Sequence, residues 1–335
     1  MLHINKNIKI FFNYFLGPLL GAWLFYSLYQ QIKNQPHLDE SIALIKNMPF
    51  GKDAWKFWSV IIMAFANWGL EAKKWQLMMY DLQPMKYLTA FKSVLSGVTF
   101  SLNTPNRIGE YGGRILYVNE GKRLKAISLS IAGSMCQLAI TLFLGCGGLT
   151  YIIYFTHTGQ SNIMGLSFFW IRTLLFCSAC ATVIIFIFLF KLSIIIRFIE
   201  RIPAMSRFAR YISVLDNFTS QLLIKLLLLS LVRYIVFVLQ YLFLLQVLQV
   251  ETTFTQAFWI ITILFLVMAV VPSIALADLG IRGKFSTALF GLYSSNVIGI
   301  LTASFGIWFI NLFIPALCGS FFIMSKKFFK EKLSA

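Results

Sequence analysis

The chain has 335 residues, 59% of them hydrophobic and only 12% charged, with a formal net charge of +17. A soluble domain carries about 25% charged residues, and several apolar runs here reach the roughly 20 residues that cross a bilayer core, which excludes a soluble globular class. The runs are continuous and do not alternate with period two, which argues against a β-barrel. We therefore expect an all-α polytopic membrane bundle, one integral membrane domain over residues 1–335, with about seven to nine membrane segments of which one or two are re-entrant or broken.

Lys6 and Lys9 precede a first span from about Ile10 to Tyr29 and place the N-terminus in the cytoplasm. Gly17-Pro18 predicts a kink in it, and the run is long and lacks a small-residue cleavage site, unlike a cleaved signal. Asp39 can cap a short outer interfacial helix with Ile42, Ile45 and Met48 on one face. Trp55 and Trp58 mark the headgroup level before a span from about Phe57 to Leu70. Asn67, Glu71 and Lys74 share a helical face, and Glu71 and Lys74 can pair, which reads first as a charge pair at the cytoplasmic border and second as part of a site.

The next apolar run, Leu88 to Leu102, is short and lies between two basic stretches, Lys73 to Lys92 and Lys122 to Lys125. A re-entrant hairpin over 88–114 keeps both stretches in the cytoplasm. An ordinary crossing followed by a glycine-rich loop would put one of them outside. Spans are expected at about Ala126 to Tyr154, Ser167 to Phe190 and Leu222 to Leu248, with a basic interfacial helix over 191–216 between the last two. An apolar run from Phe254 to Val271 meets a second break, so that 257–284 forms a second broken or re-entrant segment. Two further spans, about Ser286 to Ala303 and Gly306 to Met324, lead to a tail with Lys326, Lys327, Lys330 and Lys332 that reads as cytoplasmic. Counting crossings back from that tail puts 278–284 on the cytoplasmic side. Entry of the Pro272 region from outside would instead send the tail out, against its charge.

The positive charge lies beside membrane spans, so it reads as topology and attraction to anionic lipid, with no nucleic-acid partner. All five cysteines sit in apolar spans, and Cys177 and Cys180, despite their spacing, lie within one span as small packing residues. His3, His37 and His157 are far apart. No metal and no cofactor is expected.

The two breaks carry the chemistry. The first reads Ser101-Leu102-Asn103-Thr104-Pro105-Asn106-Arg107-Ile108-Gly109-Glu110-Tyr111-Gly112-Gly113-Arg114, and the second runs from Pro272 through Asp278, Gly280 and Arg282 to Lys284. In lipid, non-helical backbone survives only where protein or a water-filled cavity shields it. Glycines expose N–H groups, helix N-termini add partial positive charge, and Arg107 and Arg114 offer forked donors suited to phosphate oxygens. Glu110 can hold an arginine in place, or bind an amine or a proton. Arg233 lies near the middle of its span, where a charge costs at least about 2.5–3.5 kcal/mol on insertion scales and faces protein or water. It reads as a functional group or as the partner of a buried acid. Two broken segments in separate halves point to a transporter site at a repeat interface. The candidate headgroup-binding residues are Asn103, Pro105, Arg107, Gly109, Glu110, Gly113, Arg114, Arg233, Pro272, Asp278, Gly280 and Arg282, with no catalytic residue among them.

At these residues the chain resembles the lysylphosphatidylglycerol synthase transmembrane, or flippase-like, family. The first signature is matched by Pro105, Arg107, Gly109, Glu110 and Arg114. The second is matched by Pro272, Gly280 and Arg282, although Gly283 stands where the family commonly has Glu and Ala275 to Ala277 replace glycines. Asp278 can supply the missing acid. The resemblance implies a multi-pass membrane protein that moves lipids between leaflets, aminoacylated or glycosylated lipids among them, and the flanking lysines put both termini on the cytoplasmic side of the cell membrane. The chain ends directly after a span, so the separate aminoacyl-transfer domain of the synthases is not expected, nor is enzyme activity. A membrane-embedded lipid-phosphate transferase would need a general base and usually a paired acidic metal site, and Glu110 has no carboxylate or histidine beside it in sequence. A non-transporting chain that partners another membrane protein, or a homo-oligomer, is the remaining alternative.

Overall fold

The computed structural model describes residues 43, 46–102, 104, 107–155, 162–163, 166–191, 211–271 and 275–333. The expected first span, the helix after Asp39 and most of 191–216 lie outside these residues, as do Asn103, Pro105 and Pro272. The described chain is all-α apart from a two-residue β-pairing, β1 (Asn162–Ile163) with β2 (Leu166–Ser167).

Helix α1 (Ala54–Met78) is 25 residues long and continues well past Leu70, where sequence reading ends the span. Its inward face carries Asn67, Trp68, Glu71, Lys74 and Trp75, all buried, while Ile62 and Phe65 opposite are exposed. Helix α2 (Tyr87–Ser101) spans only about 22 Å at 1.5 Å per residue. The chain then breaks and returns as the short helix α3 (Gly109–Arg114), antiparallel to α2. Ser93 Oγ donates to the Arg114 carbonyl at 2.9 Å, and Gly113 lies against the Ser96 backbone, so a side chain at 113 would collide with α2. Residues 87–114 are thus a helical hairpin rather than a single helix followed by a loop.

Two 3₁₀ turns (Ile115–Tyr117 and Glu120–Lys122) lead into α4 (Arg123–Phe155), and α5 (Phe168–Phe190) follows the β-pairing. Helix α6 (Ser220–Val247) starts where the Thr219 side chain accepts from Leu222 N–H, and α7 (Phe254–Val270) starts at a capping box between Thr253 and Gln256. Helix α7 stops at the second break, and α8 (Ala275–Phe290) follows it. Then come α9 (Val297–Trp308), a π-helical turn (Phe309–Phe313) and α10 (Ile314–Leu333). Pro315 has no N–H to give to the Asn311 carbonyl, which accounts for the widened turn just before it.

The C-terminal third corrects the expected boundaries. There is no turn between Ala303 and Gly306; Gly306 lies inside a helix, with Leu244 beside it. The turn is at 291–296 instead. Gly291 N–H closes onto the Thr287 carbonyl, Asn296 Oδ1 caps Gly299 N–H at 2.8 Å, and Asn296 Nδ2 donates to the Leu248 carbonyl at 2.9 Å.

Among the described residues four helices are long and apolar enough to cross a membrane, namely Glu120–Phe155, Phe168–Phe190, Ser220–Val247 and the continuous run Val297–Ser325. Phe254–Val270 is apolar but shorter. The chain is therefore a multi-pass helical membrane bundle. The halves α1–α4 and α6–α10 share an order: a long helix, a helix ending at a Pro/Gly break, a shorter helix, then a long helix. They interlock. Helix α1 packs along α6, α2 packs on α10 and α7 packs on α4. Both crossing seams are glycine-lined, with Gly319 against Leu95 and Gly145 and Gly148 against Leu266 and Thr262, as close helix approach in a bilayer requires.

Candidate functional site

Glu71 is the hub of the interior. It is 3% exposed, and three cations converge on it. Lys74 Nζ lies 2.9 Å from Oε2, Arg114 Nη2 2.8 Å from Oε1, and Arg233 Nη1 2.8 Å from Oε2. Lys74 is one helical turn along α1, Arg114 ends α3, and Arg233 comes from α6, so the cluster ties the first hairpin to both long central helices. Arg114 is also held by Glu110 and lies over the Trp75 ring at 5.3 Å. Arg233 donates Nε to Asn67 Oδ1 at 2.7 Å and sits 5.1 Å from the Trp68 ring centre. Asn67 donates in turn to Asn311 Oδ1, in the π-helical turn, at 2.9 Å. The expected border pair Glu71–Lys74 does form, but at the centre of the bundle and not at its edge. A charge this deep is tolerated because every partner is within hydrogen-bond reach.

Beside this cluster lies a cavity of about 440 Å³. Arg107 from the first break, Arg233 from α6, and Asp278 and Arg282 from α8 all line it. Asp278 and Arg282 approach to 3.5 Å, one turn apart. Arg107 lies within electrostatic reach of Asp278, Arg282, Glu110 and Arg233. Its backbone is in the left-handed region at φ 58°, which costs a non-glycine residue roughly 1–2 kcal/mol. The chain holds a guanidinium there despite that cost. Phe237, Phe265, Met268 and Leu312 make the apolar part of the wall. Five buried polar atoms of wall residues have no hydrogen-bond partner among the described residues: Trp68 Nε1, Trp308 Nε1, Arg282 Nε, Tyr234 Oη and Gln137 Oε1. Buried polar groups are normally paired, so the wall carries an unusual concentration of unused polar atoms.

Of the residues singled out from sequence, Arg107, Arg233, Asp278 and Arg282 come together on the cavity wall. Arg114 does not. It is 2% exposed and held between Glu71 and Glu110, so it braces the hairpin and is not available to a ligand. Glu110 holds that arginine. Gly109 and Gly113 serve close packing against Phe100 and Ser96 rather than presenting bare amides, and the Gly109 N–H is taken by Thr104 Oγ1 at 2.7 Å. Gly280 is buried in α8.

Sequence reasoning did not assign Glu71, Asn67, Asn311, Trp68, Gln137 or Tyr234 to the site. Asn67 and Asn311 carried a usable signal, since each is a polar group inside an otherwise apolar run.

The family model described as lysylphosphatidylglycerol synthase TM region matches residues 14–319. No curated protein and no solved structure matches the chain.

Proposed function

The chain belongs to the lysylphosphatidylglycerol synthase transmembrane family, and from that premise we propose that it is a lipid translocase of the cell membrane that takes an anionic lipid headgroup into the central cavity. The observation that carries this reading is the convergence of Arg107, Arg233 and Arg282, from three separate segments, on one cavity with an apolar side. Guanidinium groups bind phosphate oxygens through paired, charge-assisted donors. Phe237, Phe265 and Met268 offer the start of an acyl-chain path beside them. Glu71 acts through others: it fixes Arg233 and, through Arg114, the hairpin that carries Arg107. Glu71 and Glu110 are both committed to arginines, which favours binding and release over proton-transfer chemistry.

The test is a leaflet-accessibility assay in proteoliposomes with a fluorescent anionic phospholipid. The wild-type chain should accelerate exchange between leaflets, and Arg107→Ala should slow it by about tenfold or more, as for loss of a charge-assisted contact. Phe176→Leu, on the exposed face of α5, should match the wild type. Exchange unchanged by both Arg107→Ala and Arg282→Ala would overturn the reading.

A further inference from the structure

We propose that the cavity selects a phosphate carrying two negative charges, a phosphomonoester or a terminal diphosphate, over the singly charged phosphodiester of common glycerophospholipids. This rests on the anionic-headgroup reading above and narrows it.

The argument starts from the charge inventory. The groups in mutual contact or facing the cavity include five cations, Lys74, Arg107, Arg114, Arg233 and Arg282, and three carboxylates, Glu71, Glu110 and Asp278. Two positive charges are left in excess around the cavity, and Arg107, one of the cations on its wall, is an exposed residue that water can also reach. Among the described residues Arg107 makes no salt bridge, so the excess is concentrated at the wall. Every carboxylate already meets a cation: Glu71 binds three, Glu110 binds Arg114 and Asp278 faces Arg282 at 3.5 Å. A headgroup amine would therefore have to displace an arginine to reach an acid.

The unpartnered atoms point the same way. Arg282 Nε, Trp68 Nε1 and Trp308 Nε1 are all donors, against two groups able to accept, Tyr234 Oη and Gln137 Oε1. A donor-rich wall fits a ligand that presents several acceptor oxygens and no cation. A terminal phosphate presents three such oxygens, whereas a phosphodiester has only two that are not in ester bonds. The backbone at Arg107 supplies an independent argument, since strain persists where surrounding structure imposes it and clusters at ligand clamps. The residue that bears it is the guanidinium with no carboxylate of its own.

The experiment uses the full chain in phosphatidylcholine nanodiscs at about pH 8, where a phosphomonoester has lost its second proton (pKa about 6). Binding is read by calorimetry, with tryptophan fluorescence from Trp68 and Trp308 as a second signal. The probes are dihexanoyl phosphatidic acid, its monomethyl ester, which differs by one methyl group and one charge, and inorganic phosphate. Phosphatidic acid should bind about tenfold or more tighter than the methyl ester, the scale of one charge-assisted contact. Arg107→Gly should shrink that preference several-fold without lowering the thermal midpoint, because glycine adopts a positive φ freely.

Equal affinity for acid and ester would overturn the two-charge inference while leaving the anionic-headgroup reading intact. No binding of either would overturn the reading on which it rests. Inorganic phosphate binding as tightly as phosphatidic acid would keep the dianion chemistry but overturn its lipid source. An undiminished preference in Arg107→Gly would overturn the role given to the excess charge.

Discussion

Glu71 is the residue on which the interior depends, because removing it would take the carboxylate from Lys74 and Arg233 and leave Arg114 with Glu110 alone. Breaking a buried pair by removing one partner costs about 3–5 kcal/mol. Glu71→Gln should therefore lower the thermal unfolding midpoint of the detergent-solubilised protein by an amount on that scale. The double variant Glu71→Gln/Lys74→Met should recover part of the loss, since it removes one stranded cation. A midpoint unmoved by Glu71→Gln would mean that the three cations are neutralised elsewhere. The pairing of Glu71 with Lys74 was legible from their spacing, and Arg233 announced itself by its depth in an apolar run. The rest of the hub was not. Arg114 is 43 positions away and Arg233 162, and only packing of the helices brings them to the same carboxylate. Arg114 looks from sequence like a phosphate ligand because Glu71, which joins Glu110 in occupying it, reaches it only through helix packing.

The two breaks were readable as elements because proline and glycine interrupt apolar runs, but their internal geometry was not. The first hairpin closes through glycine. A side-chain carbon at position 97 would lie 2.8 Å from the Glu110 carbonyl oxygen and 3.1 Å from the Arg114 side chain. Overpacking of this kind costs about 1–3 kcal/mol. Gly97→Val should therefore loosen α3 from α2, with faster hydrogen exchange at the amides of 109–114. Gly121→Ala, where nothing lies within 4 Å, should leave exchange there unchanged. The turn at 291–296 was missed because its signals, Ser294, Ser295 and Asn296, are weaker than the apolar runs on either side. Asn296 becomes decisive only through the Leu248 carbonyl, 48 positions away in the chain. The π-helical turn depends on a proline after it, which sequence reading treated as part of an ordinary span.

At the scale of the molecule, the interlocked halves make one body around the charged cluster, and the remaining surface is made for lipid. Helix α5 shows this most clearly. Phe176, Val183, Ile184 and Ile187 are each more than half exposed along its outer face. A lysine at the centre of a membrane helix costs about 2.5–3.5 kcal/mol on insertion scales, and less where it can snorkel. Phe176→Lys should therefore reduce the membrane-inserted yield clearly, as measured by membrane fractionation, while Phe176→Leu should not. Equal yields would place this face against protein or water. The all-α membrane class followed from composition and run length alone. The interlock did not, because the glycines that make its seams are common in any membrane helix and say nothing about which helix they meet.

The arginines that converge on the cavity are also an electrical component. A unit charge carried fully through a membrane potential of 100 mV exchanges about 2.3 kcal/mol with it. A cluster that stays still exchanges nothing, but one that rides on a tilting half of the protein does work against or with the voltage in proportion to the fraction of the field it crosses. A doubly negative guest seated against it would cancel that work, so the loaded and empty protein would respond to membrane voltage differently.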